Sequence, residues 1–144
     1  MRLDKLRQAI AESEDNLDAL VIYQPENRRY LSGFTGSEAM LFITQDRAVL
    51  ATDSRYWQQA EREAPEFSLY QVKTRYVAEM QDILAAAGNP RSIGFESTFI
   101  TVDQLDQMND AAPDVEWVAT KDIVEDLRLI KDPGEIALMR RAAR

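Results

Sequence analysis

Two apolar runs, Ala39–Thr44 and Ala48–Thr52, are separated only by Gln45-Asp46-Arg47. Each has the length and apolar content of a strand, and the polar link between them has hairpin length. No crossover helix fits in three residues, so a sheet containing both runs has an antiparallel pair. Elsewhere strand-like and helix-like stretches alternate, which is the pattern of an α/β fold. Together these features predict an α/β domain with a mixed sheet of about six strands flanked by about five helices.

The remaining elements follow from periodicity. Leu3, Leu6 and Ile10 recur at helical spacing within 2–14, and Asp15-Asn16 ends that helix. Ala19–Tyr23 is a continuous apolar run, as in a strand covered on both faces. Pro25 suits a first helical position and Gly33 a left-handed exit, which frames a short helix over 25–32. After Asp53 or Ser54 as a cap, Tyr56 and Ala60 share one face of a helix that stops before Pro65. Residues 67–72 alternate like an edge strand. Residues 75–87 carry the clearest apolar helical pattern, closed by Gly88. Residues 92–96 and 115–118 read as short strands on either side of a helix opened by a Thr101/Gln104 capping box. From Thr120 onward the chain reads as helical. Asp132, Pro133 and Glu135 then have the spacing of a new helix start, with Ile136, Met139 and Ala143 as its apolar stripe. A helix begun so near residue 144 has little to cover, so further chain is expected beyond it.

Composition narrows the function. With 25 acids against 17 bases the net charge is −8, a surface that repels phosphate backbones, so no nucleic-acid partner is expected. The sequence lacks an 18-residue apolar run and an N-terminal signal pattern, so no membrane partner is expected; zero Cys is compatible with a cytoplasmic protein. Histidine is absent as well. That removes Ser-His-Asp and Cys-His catalysis and His-ligated metals from these residues.

Two stretches concentrate polar and aromatic side chains. Asn27–Ser37 contains Phe34, Thr35 and Ser37 on a loop between Gly33 and Gly36. There Phe34 reads as an exposed apolar tip, whose change to Ala should leave the fold intact. Asp53, Arg55, Tyr56 and Trp57 form the second stretch, with the Arg and aromatic content of interface anchors, although core packing explains Tyr56 equally well. Arg28-Arg29 reads as packing or an ion pair, and the two glycines read as turn geometry, since no phosphate-loop pattern accompanies them. Asp53 and Glu96 both end strands. As a pair they could hold Mg²⁺ in a nuclease, and singly they read as a helix cap and a solvent-facing carboxylate.

Three motifs in order complete the reading: Arg28-x-Tyr30-Leu31-Ser32-Gly33-Phe34-Thr35-Gly36-Ser37, Leu50-x-Thr52-Asp53-x-Arg55-Tyr56, and Arg128-x-x-Lys131-x-Pro133-x-Glu135-Ile136. Together they resemble the N-terminal domain of the Xaa-Pro peptidases, that is, Xaa-Pro aminopeptidase and Xaa-Pro dipeptidase (prolidase), with creatinase as a relative. The resemblance implies a creatinase/prolidase N-terminal domain of RNase H-like topology over 1–126. It implies a linker and first helix over 127–144, leading to a pita-bread catalytic domain. Two divalent ions of the Mn, Co or Zn type would be held there by two Asp, one His and two Glu, none of which is assignable here. A metal-bridging hydroxide would attack the amide before proline. No cofactor and no catalytic or metal residue is expected within 1–144. The expected partners are the chain's own catalytic domain, a second copy in a homodimer or higher oligomer, and a proline-containing peptide. Phe34, Thr35, Ser37, Asp53, Arg55, Tyr56 and Trp57 become candidates for the substrate entrance or an interface. A creatinase-like C–N hydrolase and a catalytically inactive peptide- or protein-binding module share this architecture.

Overall fold

The computed structural model describes residues 2–129. The helix start expected at Asp132, Pro133 and Glu135 lies outside them. The described elements are α1 (Arg2–Glu12), β1 (Ala19–Ile22), α2 (Pro25–Ser32), β2 (Met40–Thr44), β3 (Ala48–Asp53), α3 (Trp57–Glu63), β4 (Ser68–Val72), α4 (Met80–Ala86), β5 (Ser92–Glu96), α5 (Val102–Ala111), β6 (Glu116–Thr120) and α6 (Ile123–Leu129).

The six strands form one sheet in the order β4-β3-β2-β1-β5-β6. The hairpin pairs β2 with β3 antiparallel, Met40 opposite Ala51 and Ile43 opposite Ala48. Because β2 also runs antiparallel to β1, it is the single reversed strand; β4–β3 and β1–β5–β6 pair in parallel. The sheet is therefore mixed, as the short link between the two runs requires. It also collects the carboxyl ends of five strands, with the start of β2, along one edge.

Alternation along the central strands divides the core. Leu20, Ile22, Leu41, Ile43 and Leu50 face α1, α2, α3 and α6, where they meet Leu3, Leu6, Ile10, Leu31, Ala60 and Val124. Ala19, Val21, Met40, Phe42 and Val49 face α4 and α5, against Met80, Ile83, Leu84 and Met108. Every residue of β1 and β2 is buried, while the outer strands β4 and β6 are partly exposed, as expected for edges.

Two helix starts differ from the sequence reading. The helix expected over 75–87 is helical only from Met80. Its first residues form turns, with Met80 N–H bonded to Val77 O three residues back. The Glu79 carboxylate is drawn away to accept from Lys73 N, Thr74 N, Thr74 Oγ1 and Tyr70 OH. Neither Asp53 nor Ser54 caps α3: Tyr56 precedes its first residue without a side-chain cap, because the Asp53 carboxylate is turned toward Arg55. Helix α6 lies where the chain was expected to be helical from Thr120 onward, with Leu127 packed against the core.

The expected capping box is present. Thr101 Oγ1 accepts from Gln104 N at 3.1 Å, and Gln104 Oε1 accepts from Thr101 N at 2.9 Å. Thr101→Ala should therefore cost about 1 kcal/mol of unfolding free energy. Urea unfolding checks this, with no change expected in the slope.

Candidate functional site

The two polar-aromatic stretches lie side by side at the carboxyl edge of the sheet, and α2 places the first of them. Gln24 Oε1 accepts from Asn27 N, Pro25 occupies the first turn, and Gly33 closes the helix at φ 82°, its N–H bonded to Arg29 O. A Cβ at Gly33 would stand 2.9 Å from Glu63 O, so both conformation and contact require glycine there.

Phe34 is not the exposed tip expected of it. Its side chain is 1% exposed, packed in the core edge-on to Tyr56 with ring centroids 5.9 Å apart. The ring folds back beneath its own loop: a Cβ on Gly36 would stand 2.2 Å from Phe34 Cζ. Gly36 leaves that space open, and the polar neighbours of Phe34 concealed its burial. Above the ring, Ser37 Oγ and Tyr56 OH share a hydrogen bond of 2.5 Å. Thr35 donates to Glu63 Oε1 from both N and Oγ1, at 2.9 and 3.0 Å. Arg28, buried as the structural reading required, donates to Ala39 O at 2.8 Å and to Gly36 O and Ser37 O at 3.3 Å.

The second stretch presents a forked ion pair. Arg55 Nε and Nη2 reach the two carboxylate oxygens of Asp53 at 2.8 and 2.9 Å, and Arg55 N donates to Asp53 Oδ1. The guanidinium carbon of Arg55 also lies 5.0 Å from the Tyr56 ring centroid. Trp57 Nε1 donates to Thr52 O at 2.8 Å, which fixes the indole against the end of β3. Hydrogen bonds from Arg55 hold the Asp53 carboxyl below its usual range, and the Thr35 N–H does the same for Glu63. Both stay ionised near neutrality, which suits acceptors in a contact surface and does not suit a proton donor. Thr35, Ser37 and Arg55 are exposed, while Asp53, Tyr56 and Trp57 are partly so. The patch offers hydroxyls, a guanidinium and ring faces.

A second polar cluster had no counterpart in the sequence reading. Glu96 was taken to face solvent, yet it is only 7% exposed. Its Oε1 accepts from Tyr23 N and Gln24 N at 2.7 and 2.9 Å, and its Oε2 accepts from Asn27 Nδ2 at 2.7 Å. The same Nδ2 donates to Glu125 Oε2 at 2.9 Å, and Asn27 Oδ1 accepts from Arg128 Nη1 at 3.1 Å. No local signal links Asn27, Glu96 and Glu125, because the topology alone brings them together. The crevice between the carboxyl ends of β1 and β5, where connections leave in opposite directions, is the usual ligand position of open α/β sheets. Here the protein's own carboxylate fills it at the head of α2.

The nuclease pairing of Asp53 with Glu96 fails on this geometry, since β2 and β1 stand between their strands. Nor do the described residues fit a dinuclear metal centre. The sequence has no His, among the described residues no three Asp or Glu side chains gather as a ligand set, and Asp53 and Glu96 are already taken by donors.

Burial pushes the Glu96 carboxyl up, reinforced by the charge of Glu125, and outweighs the lowering by its three hydrogen-bond donors. A folded-state value above the unfolded one means that Glu96 contributes most to stability below the unfolded value. That contribution is lost as pH rises through the folded value.

The comparisons with known proteins agree with this architecture. The profile of the Creatinase/Prolidase N-terminal domain matches residues 2–130. Peptidase YqhT of Bacillus subtilis, described as uncharacterized, is 32% identical over 144 residues, which is all of this chain and 40% of that protein. Among solved structures, an Xaa-Pro dipeptidase from Bacillus anthracis superposes with a TM-score of 0.86 at 30% identity, over 94% of this chain and 37% of that one. The N-terminal domain of the cytoplasmic peptidase PepQ from Mycobacterium tuberculosis gives a TM-score of 0.76 at 40% identity, over 88% of this chain and 98% of that domain. The chain thus spans well under half of the longer relatives.

Phe34→Ala should lower the unfolding free energy of the chain by about 3–5 kcal/mol, as for a large ring removed from a packed core. Arg55→Ala, on the exposed side of the same patch, should leave the thermal midpoint unchanged. Parallel urea and thermal unfolding of the two variants checks both.

Proposed function

The chain belongs to the creatinase/prolidase N-terminal domain family, and from that premise we propose that it is the non-catalytic N-terminal domain of a cytoplasmic, metal-dependent Xaa-Pro peptidase. Residues 1–126 form the domain, and residues 127–144 lead into a catalytic domain that holds two divalent ions. The observation that carries the reading is the family match over 2–130 in a chain that spans 40% of a peptidase relative. Supporting it, the exposed patch is built for contact: its carboxylates are held ionised, its loop rests on a buried ring and a buried arginine, and its guanidinium is held by Asp53.

In the whole protein Thr35, Ser37, Asp53, Arg55, Tyr56 and Trp57 border the substrate entrance or the contact with a second subunit of a homodimer or higher oligomer. Phe34 serves them from beneath. A proline-containing peptide would meet the hydroxyls and the guanidinium, which donate to carbonyl and carboxylate oxygens.

The test has two arms. Purified residues 1–144 with Mn²⁺ should release no proline from an Xaa-Pro dipeptide, and measurable turnover that survives repurification would contradict the reading. In the full-length parent, Arg55→Ala should raise KM for the dipeptide or weaken subunit association. Unchanged kinetics together with an unchanged sedimentation profile would remove the patch from the entrance and the interface.

A further inference from the structure

Among the described residues α6 covers Ile123–Leu129 and buries one side chain fully, Val124, with Ile123 and Leu127 partly covered. Polar contacts to α2 help to hold it. Asn27 joins Glu125 and Arg128, and Tyr30 OH donates to Leu127 O at 3.2 Å.

Asn27 is completely buried, and its two amide hydrogens go to two carboxylates, Glu96 beneath it and Glu125 on α6. The like charges thus stand one amide nitrogen apart. The space between α6 and Glu96, lined by Leu20, Ile22, Thr120, Val124 and Glu125, measures about 10 Å³. That is at the lower limit for admitting one water molecule, and with α6 in place Glu96 is buried. Seating α6 therefore brings a second carboxylate toward one that has lost its solvation, and both effects disfavour the charged form of Glu96.

We infer that α6 is a proton-gated latch: uptake of a proton by the Glu96–Asn27–Glu125 cluster seats the helix on α2, and its release loosens it. The charged and titratable groups around Glu96 are Glu125 on α6, Asp122 just before α6 on the same cavity, Arg28 on α2 and the Tyr23 phenol at the end of β1, while Arg128 stands on the far side of the Asn27 amide. Arg28 keeps its charge throughout, with its guanidinium on the carbonyls of Gly36, Ser37 and Ala39. Burial pushes Tyr23 further up, away from neutral pH. Since the sequence has neither His nor Cys, a titration on the acid side of neutrality belongs to a carboxyl group, and Glu96 is the described carboxyl displaced upward.

Native-state amide exchange by NMR on residues 1–144 tests the latch, with rates corrected for intrinsic exchange. In the unaltered chain the opening constant of Val124–Leu129 should rise severalfold between pH 4.5 and 7, the direction set by a carboxyl displaced upward in the seated state. Amides of β1 and β5 should not follow it. Glu125→Gln keeps an acceptor for Asn27 while removing the charge, so its profile should be flat, with α6 at pH 7 as protected as the unaltered helix at pH 4.5. Glu96→Gln should flatten the profile as well. A flat profile in the unaltered chain, or a full pH dependence surviving in Glu125→Gln, overturns the inference. A merely structural clamp would shift protection equally at every pH.

Discussion

The Glu96 carboxylate is the contact on which the arrangement of this domain turns. It sits at the end of β5, against the first backbone N–H groups after β1 and under the head of α2. A buried carboxylate is costly unless donors satisfy it, and a helix entry buried without acceptors is costly too. Each offsets the other. Asn27 extends the arrangement by one residue, turning the satisfied carboxylate into a bridge toward α6. Removing the carboxylate would therefore disturb more than one hydrogen bond: it would leave buried donors unpaired at the junction of β1, β5 and α2.

From that fixed head, α2 delivers the loop that follows it. Arg28 holds the carbonyls of Gly36, Ser37 and Ala39 from one side, and Phe34 pins the loop from below through Tyr56. The exposed patch is thus displayed on a rigid support, as precise contact surfaces require. Membership of the creatinase/prolidase N-terminal domain family gives that support a context. In the proposed reading the loop and the Asp53–Trp57 turn face the part of the protein that this chain does not span, while α6 carries the chain toward it. One short helix, α2, would then set both the wall of the entrance and the direction of the exit.

The fold was largely legible from the sequence, because its signals are local. The three-residue link between two apolar runs required an antiparallel pair, Pro25 and Gly33 bracketed α2, and Thr101 with Gln104 marked the start of α5. Errors arose where a side chain's partner lies far along the chain. Glu96 was read as solvent-facing because its donors are 69 or more residues away in sequence. Phe34 was read as exposed because its neighbours are polar, whereas a loop that doubles back at Gly36 can bury one ring among them. The early part of 75–87 has a helical apolar pattern, yet Glu79 is held by the preceding turn. Local periodicity carries no information about any of these long-range or side-chain-to-backbone commitments.

The most direct test of Glu96 as the organising contact is the ¹H–¹⁵N spectrum and urea stability of Glu96→Ala beside the unaltered chain. The account predicts a loss of about 2–5 kcal/mol, set by the buried donors left unpaired. It also predicts amide shift changes in two places remote from residue 96 in sequence, the 34–39 loop and residues 123–129. Shifts confined to Tyr23, Gln24 and the residues flanking 96, with stability nearly unchanged, would contradict it.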